Sequence, residues 1–379
     1  MLYFILLLII LIFYTYLGYP IFLYFIAQLS SRKVKKADIE PSVTYLISAY
    51  NEETNIRDKL KDVLSLDYPK EKLEIIVVSD ASSDKTDEIV REFEGRGVKL
   101  LRVEGRVGKT EVQNRAIKVA KGEIVIFSDS TTKYEKSAIR KIVRNYADPL
   151  VGAVSGRYKY YDPDQSQVGT GTIVFWDYEN FIKMKQMQIR TITGCCGCIY
   201  SVRKSLYVPL PGDIISDLVE PLKILEQGYR IVFEPEALAY ETTCQKSDEE
   251  FKMRVRVISR GMRGLWYMKK LLNPFKYGFV SFQLISHKIL RWFIPVFLFV
   301  LFFLSLFLMR KNIFYFIFFI LQLVFYFSAL LGFIFEKAQK KIKIFSIPLY
   351  FCIVNAASAI ALIRTLMQKR DITWETVRV

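Results

Sequence analysis

A single histidine, His287, stands in a chain of 379 residues. That scarcity excludes metal centres built on histidine and catalysis that needs paired imidazoles. Cysteine is sparse as well: Cys195, Cys196 and Cys198 crowd one segment, and Cys244 and Cys352 stand apart, five in all. Such spacing is no disulfide framework, so reduced thiols are expected, and a zinc site would lack its second pair of ligands. Acidic residues are also few, 38 against 54 basic, for a net charge of +16. No nucleic-acid-binding motif accompanies that excess, so nucleic acid is not an expected partner. An anionic membrane surface and phosphate-bearing substrates are. Finally, there is no P-loop, because the glycine spacing required ahead of Lys109 is absent.

Apolar residues are plentiful instead. They make up 52% of the chain, with 29 Phe and a mean hydropathy of +0.21, the balance of a water-soluble unit joined to membrane segments. Residues 2–26 form an apolar run long enough to span a bilayer. The basic cluster Arg32, Lys33, Lys35 and Lys36 follows that run rather than preceding it. This is the pattern of an uncleaved signal anchor, which puts the next domain in the cytoplasm of a plasma-membrane protein. Three further apolar runs occupy 289–308, 314–335 and 345–366. Between the last two lie Lys337, Lys340, Lys341 and Lys343, which fit a cytoplasmic loop. Counting crossings then places the tail outside, whereas Lys369, Arg370 and Arg378 argue for the inside. The expected organisation is an anchor at 1–30, a soluble domain at 41–250, amphipathic interface helices at 251–288, spanning helices at 289–366 and a tail at 367–379. His287 is expected at the membrane interface.

Within the soluble domain, β-branched and apolar runs at 43–48, 73–79, 98–103 and 124–127 alternate with helical stretches at 54–65, 86–93 and 109–119. That alternation predicts an α/β fold with a mostly parallel sheet and helices on both faces. Residues 153–192 show no regular period. Short strands are expected at 199–202 and 230–233, with a helix over 213–228 between them. Residues 251–272 read as an amphipathic helix lying on the membrane surface.

In open α/β sheets ligands lie beyond the carboxyl ends of the strands, and the chemistry-bearing residues cluster there. Tyr50, Glu52 and Asp80 follow two neighbouring strands, where a ring can stack on a base and a carboxylate can accept a ring N–H; ordinary turn chemistry would also place Asn51 and Asp80 there. Arg106, Gly108 and Lys109 precede a helix N-terminus, which suits a diphosphate. Asp129 ends the run 124–127 and can hold Mg²⁺ or Mn²⁺, although no second acid follows it. Asp217 stands in the first turn of a helix, either favoured there by the helix dipole or acting as a general base.

Taken together, residues 47–53, 77–86, 127–129, 194–205 and 216–230 resemble family 2 glycosyltransferases of the GT-A fold. The similarity is to the membrane-embedded branch that includes poly-N-acetylglucosamine, cellulose and hyaluronan synthases. It covers residues 43–261, while the membrane segments match only in arrangement. What the resemblance implies is a Rossmann-like domain with one N-terminal and about three C-terminal spanning helices. The implied reaction is an inverting transfer from a nucleotide-sugar, usually a UDP-sugar, to a growing polysaccharide or lipid-linked acceptor. Tyr50, Glu52 and Asp80 correspond to base and ribose contacts, Lys109 to a donor contact, Asp129 to the Mg²⁺ or Mn²⁺ ligand, and Asp217 to the catalytic base. Gly194, Cys195, Cys196 and Gly197 correspond to the loop at the acceptor terminus.

Two departures from the family pattern are visible. The Asp-x-Asp triplet is here Asp129-Ser130-Thr131, and the Gln-x-x-Arg-Trp motif has no clean copy. Arg256 and Arg260 lie in its region as candidate diphosphate or acceptor contacts, and residues 374–378 distantly resemble a gating segment. Competing readings are addition of one sugar to a polyprenyl phosphate or other lipid, and an inactive membrane scaffold. Four spanning helices are few for a self-contained conduit, so an oligomer or an accessory export partner is a further expectation.

Overall fold

A computed structural model describes residues 2–30 and 32–369; the expectations for Arg370, for Arg378 and for the segment 374–378 lie outside the described residues. The N-terminal span is α1 (Leu2–Phe13), a wider π-turn (Tyr14–Gly18) and α2 (Tyr19–Leu29). The soluble domain then runs β1 (Val43–Ala49), α3 (Ile56–Leu64), β2 (Leu73–Asp80), α4 (Thr86–Arg91), β3 (Val98–Val103), α5 (Lys109–Val119) and β4 (Ile124–Asp129). After these come β5 (Lys133–Tyr134), α6 (Ala138–Val143), β6 (Val151–Tyr161), α7 (Gln167–Ile189), β7 (Ile199–Arg203), α8 (Ser216–Glu226) and β8 (Arg230–Thr242). The C-terminal part comprises α9 (Ser247–Tyr267), α10 (Pro274–Tyr277), α11 (Phe279–Leu284), α12 (Leu290–Leu308), α13 (Ile313–Lys337) and α14 (Ser346–Leu366).

One eight-stranded sheet carries the domain, in the order β3-β2-β1-β4-β7-β6-β8-β5. The expected parallel half is present: β1 pairs in parallel with both β2 and β4, and β2 with β3. β7 then runs antiparallel to both β4 and β6, so the sheet is mixed beyond β4. Residues 43–49 are all buried, because helices cover both faces of the sheet. Tyr45 and Ile47 pack with Ile56, Leu60 and Ile139 on one side, whereas Leu46 packs with Val112, Ala116 and Leu222 on the other. Alternate residues of one strand thus feed separate cores, as a pleat requires.

Residues 153–192, which show no period, prove to be ordered. β6 is 11 residues long and α7 is 23. α7 packs against β6, against α2 and against α14, so it is enclosed on several sides and carries no single apolar stripe. β8 likewise extends to Thr242, past the expected end at residue 233. Pro235 falls where the β6 register shifts, between Gly156/Glu234 and Arg157/Leu238, so its missing N–H breaks no ladder bond.

Among the described residues four helical segments are long and apolar enough to cross a membrane: Leu2–Leu29, Phe279–Leu308, Ile313–Lys337 and Lys343–Leu366. The second begins ten residues before the expected position at 289, through α11 and a π-turn at Ile285–Ile289. Part of the apolar face of α9 is covered by another helix. Val255, Ile258 and Met262 pack on Ala357 and Ala361 of α14, so this helix bridges the domain and the spanning bundle. His287 lies near the start of the segment Phe279–Leu308; it is 4% exposed, stacks on Tyr19 and has its Nε2 3.1 Å from Glu179 Oε1.

Candidate active site

The carboxyl ends of β1 and β4, the start of α5, the loop 194–198, the start of α8 and one face of α9 surround a cleft of about 290 Å³. Glu52, Lys109, Asp129, Cys196, Gly197, Asp217, Arg256 and Arg260 all line it, so eight of the expected residues converge on one space. Gly194 and Cys195 open instead onto a second cavity behind the cleft, which shares Asp217 with the first.

Asp129 ends β4 and is ion-paired with Lys109 at the start of α5. Burial pushes the Lys109 ammonium down, but the adjoining Asp129 carboxylate more than offsets this and holds it above its ordinary range. Behind the Asp129 loop lies Lys59, which the sequence reasoning passed over. It is 2% exposed and donates to Ser128 Oγ at 2.8 Å and to the Thr132 carbonyl at 2.5 Å. Burial pushes its pKa down to about 8. Lysine in α3 carries no pattern that separates such a brace from a solvated charge; only the rings of Tyr45 and Tyr134 beside it reveal the enclosure.

Glu241, near the end of β8, is a second residue missed from sequence. Its Oε1 accepts the hydroxyl of Thr131, and it lines the cleft with Asp129 and Glu52. Thr131 stands where the family triplet has its second acid, so a carboxylate from a distant strand reaches the position that the triplet leaves empty. A hard cation takes oxygen ligands, often one or two carboxylates completed by substrate phosphates and water. Asp129, Glu241 and the Thr131 hydroxyl form such a donor set. Among the described residues no three His, Cys, Asp or Glu side chains converge as a complete metal cage. The chemistry of the donors fits Mg²⁺ or Mn²⁺ with a donor diphosphate filling the remaining positions.

Asp217 sits in the first turn of α8. Its backbone carbonyl accepts from Cys195 N at 2.9 Å, which ties the loop 194–198 to the helix. Burial pushes the Asp217 carboxyl above the usual range, while Lys109 opposes that rise and Asp129 adds to it. A Cβ built on Gly197 would stand 2.5 Å from Asp217 Oδ2, so only glycine lets the carboxylate lie against that backbone. Cys195 and Cys198 are held protonated by burial, Cys196 Sγ lies 3.9 Å from Cys198 Sγ, and all five thiols are free.

Three of the expected residues are engaged by neighbouring groups. Asp80 is fully buried, and both its oxygens are engaged by backbone amides, Val107 N at 2.8 Å and Gly108 N at 3.0 Å. In this structure it secures the turn before α5 instead of facing the cleft. One face of the Tyr50 ring is covered by the Arg106 guanidinium, centred 3.7 Å from it. Arg260 acts chiefly as a brace: it donates to Ile214 O at 2.8 Å and to Thr110 Oγ1 and Gly212 O, each at 3.2 Å.

Residues 44–208 match the family model Glycosyl transferase family 2. This domain belongs to glycosyl transferase family 2. The glycosyltransferase segment is similar to the Probable glycosyltransferase YdaM of Bacillus subtilis, 31% identical over 252 residues, 62% of this chain and 58% of that protein. It is similar also to the poly-beta-1,6-N-acetyl-D-glucosamine synthase of Staphylococcus aureus, 29% identical over 246 residues, 62% of this chain and 59% of that one. The chain thus matches somewhat under three fifths of the length of these relatives. A mannosyltransferase of Pyrobaculum calidifontis, solved with GDP-Man and Mn²⁺, superposes with a TM-score of 0.71 over 96% of this chain and 99% of that one. At 21% identity that likeness speaks for the fold, a GT-A domain with its helices.

Proposed function

We propose that this glycosyltransferase is an integral-membrane enzyme with its catalytic domain in the cytoplasm. It would transfer one sugar from a nucleotide-sugar, with inversion, to a hydroxyl of a saccharide or lipid-linked acceptor. The observation that carries this reading is the joint placement of Asp217, Asp129 and Lys109 around one cleft. A buried carboxylate with a raised pKa is suited to take a proton, and here it adjoins the cation-rich end where a diphosphate would depart.

In the transfer, the acceptor oxygen attacks the anomeric carbon as the Asp217 carboxylate takes the hydroxyl proton. The bond from that carbon to the nucleoside diphosphate breaks, and the electron pair leaves with the diphosphate. Lys109, which neutralises Asp129 in this structure, turns to the leaving phosphate. Mg²⁺ or Mn²⁺ held by Asp129 and Glu241 would supply further neutralisation of the departing charge. Gly197 leaves room for the base, and Cys195 N holds the base's own backbone in place.

The donor is read as a UDP-sugar, on the strength of the family resemblance. The alternative, a GDP-sugar, is suggested by the solved neighbour with GDP-Man, which aligns over 96% of this chain. Nucleotide release from purified full-length protein, measured over a panel of UDP- and GDP-sugars with and without EDTA, tests both. Release with one donor that EDTA suppresses and Asp217→Asn abolishes is the expected result. Full release by Asp217→Asn would remove the base assignment, and no release with any donor would favour the inactive scaffold.

A further inference from the structure

Behind the catalytic cleft lies the second cavity, of about 180 Å³, and the two share Trp176, Asp217 and Arg254. Its lining carries four basic side chains, Lys183, Arg254, Lys288 and Arg291, against two acidic ones, Glu179 and Asp217. Arg291 is ion-paired with Glu179, and Arg254 with Glu250 at 2.8 Å. Lys183 and Lys288 have neither a hydrogen bond nor an ion pair among the described residues. Lys183 is moreover 7% exposed, its ammonium lying 5.6 Å from the centre of the Trp176 ring. Charged groups enclosed without a direct ion pair are costly, and such groups mark candidate binding sites.

The local backbone is arranged around these residues. The helix carrying Lys288 widens into the π-turn Ile285–Ile289, and the N-terminal span does so at Tyr14–Gly18. The two turns meet: Tyr14 Oη lies 2.8 Å from Ser286 Oγ, and Tyr178 Oη donates to the Tyr16 carbonyl at 3.0 Å. Such wide turns forfeit regular helix hydrogen bonding and recur at functional sites.

Past Arg291 a third cavity, of about 190 Å³, continues outward, sharing Phe175, Arg291 and Val354 with the second. Its walls are mostly apolar, formed by Tyr16, Val174, Ile347 and Phe351 among others. Val174 and Ile347 are 47% and 58% exposed, so the groove opens sideways between α7, the N-terminal span and α14, and the latter two are among the helices long and apolar enough to cross a membrane. A reactive cleft, a basic niche and an apolar lateral groove therefore follow one another in that order.

We infer that the acceptor is carried by a long-chain lipid phosphate that enters from the bilayer. Its phosphate occupies the niche at Lys183, Lys288 and Arg291, its apolar chain leaves through the lateral groove, and the hydroxyl to be glycosylated faces Asp217. The charge of the niche complements a phosphate, and one narrow groove of this volume suits one apolar chain. The inference deepens the transferase reading and rests on it for the chemical step, in which the acceptor O–C1 bond forms and the diphosphate leaves as above. The binding step is independent of that reading.

The test is native mass spectrometry of the full-length protein in detergent with a long-chain polyprenyl phosphate, the corresponding polyprenol, and two-chain phosphatidylglycerol. One polyprenyl phosphate should be retained, about tenfold or more tightly than the polyprenol or phosphatidylglycerol, since hydrogen bonds to charged groups are the strong ones. Lys183→Gln combined with Lys288→Gln should lower that retention about tenfold or more while nucleotide binding is unchanged. Val174→Trp, at an exposed position that places no demand on folding, should block the groove and lower it as well. Equal retention of polyprenol or phosphatidylglycerol, or undiminished retention in both variants, would overturn the inference. Lipid retention without any nucleotide release would overturn the transferase reading and leave this one standing.

Discussion

Replacing Gly197 with alanine separates the geometry of the base from the stability of the fold. The added Cβ would stand 2.5 Å from Asp217 Oδ2 and 3.2 Å from its carboxyl carbon. Ordinary contact begins near 3.4 Å, so the carboxylate has to retreat by most of an ångström. Gly197 does not occupy the left-handed region of backbone space, so alanine is conformationally permitted there. The atom that must move is the far end of a side chain, and turning it off its rotamer costs about 0.5–1.5 kcal/mol. Removing a glycine from the unfolded chain returns about 0.4–1 kcal/mol. The two nearly cancel, so the thermal midpoint should stay within a few degrees of wild type. Catalysis is far less tolerant, since a misplacement of about 1 Å can lower a rate about a hundredfold. The assay is nucleotide release under saturating donor, paired with calorimetric donor affinity. The expected pattern is a rate about a hundredfold lower with unchanged affinity and midpoint. A rate within threefold of wild type would falsify the claim that Asp217 acts from this position.

The raised Asp217 pKa makes a second prediction. The base works only when ionised, so activity should fall as pH drops through a value above the ordinary aspartate range near 4, and the acid limb should be absent from a pH profile only if another group is the base. Glu220 offers a stability counterpart: burial raises its pKa to about 8, Oε1 accepts Val208 N at 3.1 Å, and Oε2 is buried without a partner. Its folded pKa lies above its unfolded one, so its contribution is full below about pH 4.5 and declines until about pH 8. Glu220→Gln should therefore raise the thermal midpoint more at pH 8 than at pH 5, and an equal shift at both would refute the assignment. Glu241→Gln should weaken Mn²⁺ binding, read by the paramagnetic signal of the free ion, about tenfold in the presence of nucleotide, whereas Thr131→Asp should not abolish it. Unchanged Mn²⁺ affinity in Glu241→Gln would remove Glu241 from the metal site.

Much of the domain was legible because its signals are local. The runs 43–48, 73–79, 98–103 and 124–127 end at polar clusters, and the observed strands β1 to β4 begin where expected and run at most two residues longer. The four spanning segments were visible for the same reason, since length and apolarity are properties of a window. α7 was not visible: enclosed by β6, α2 and α14 at once, it has no polar face to set a period. The packing partner of α9 was not legible either. Its apolar stripe was real, but a stripe does not say whether lipid or α14 will cover it.

At the site, chain order alone placed Asp129 and Asp217 at element ends, since strand termini and first helical turns are written in neighbouring residues. What only the tertiary structure decided is which groups share a space. Glu241 meets Thr131 across 110 residues of chain, Lys59 reaches under the Asp129 loop from α3, and Asp80 turns to the amides of Val107 and Gly108. Lys183, Lys288 and Arg291 become one niche only where α7 meets the spanning helix. Periodicity and propensity act over a turn or two of helix, whereas a site is made by contacts between elements far apart in sequence, and those follow from how the sheet and bundle pack.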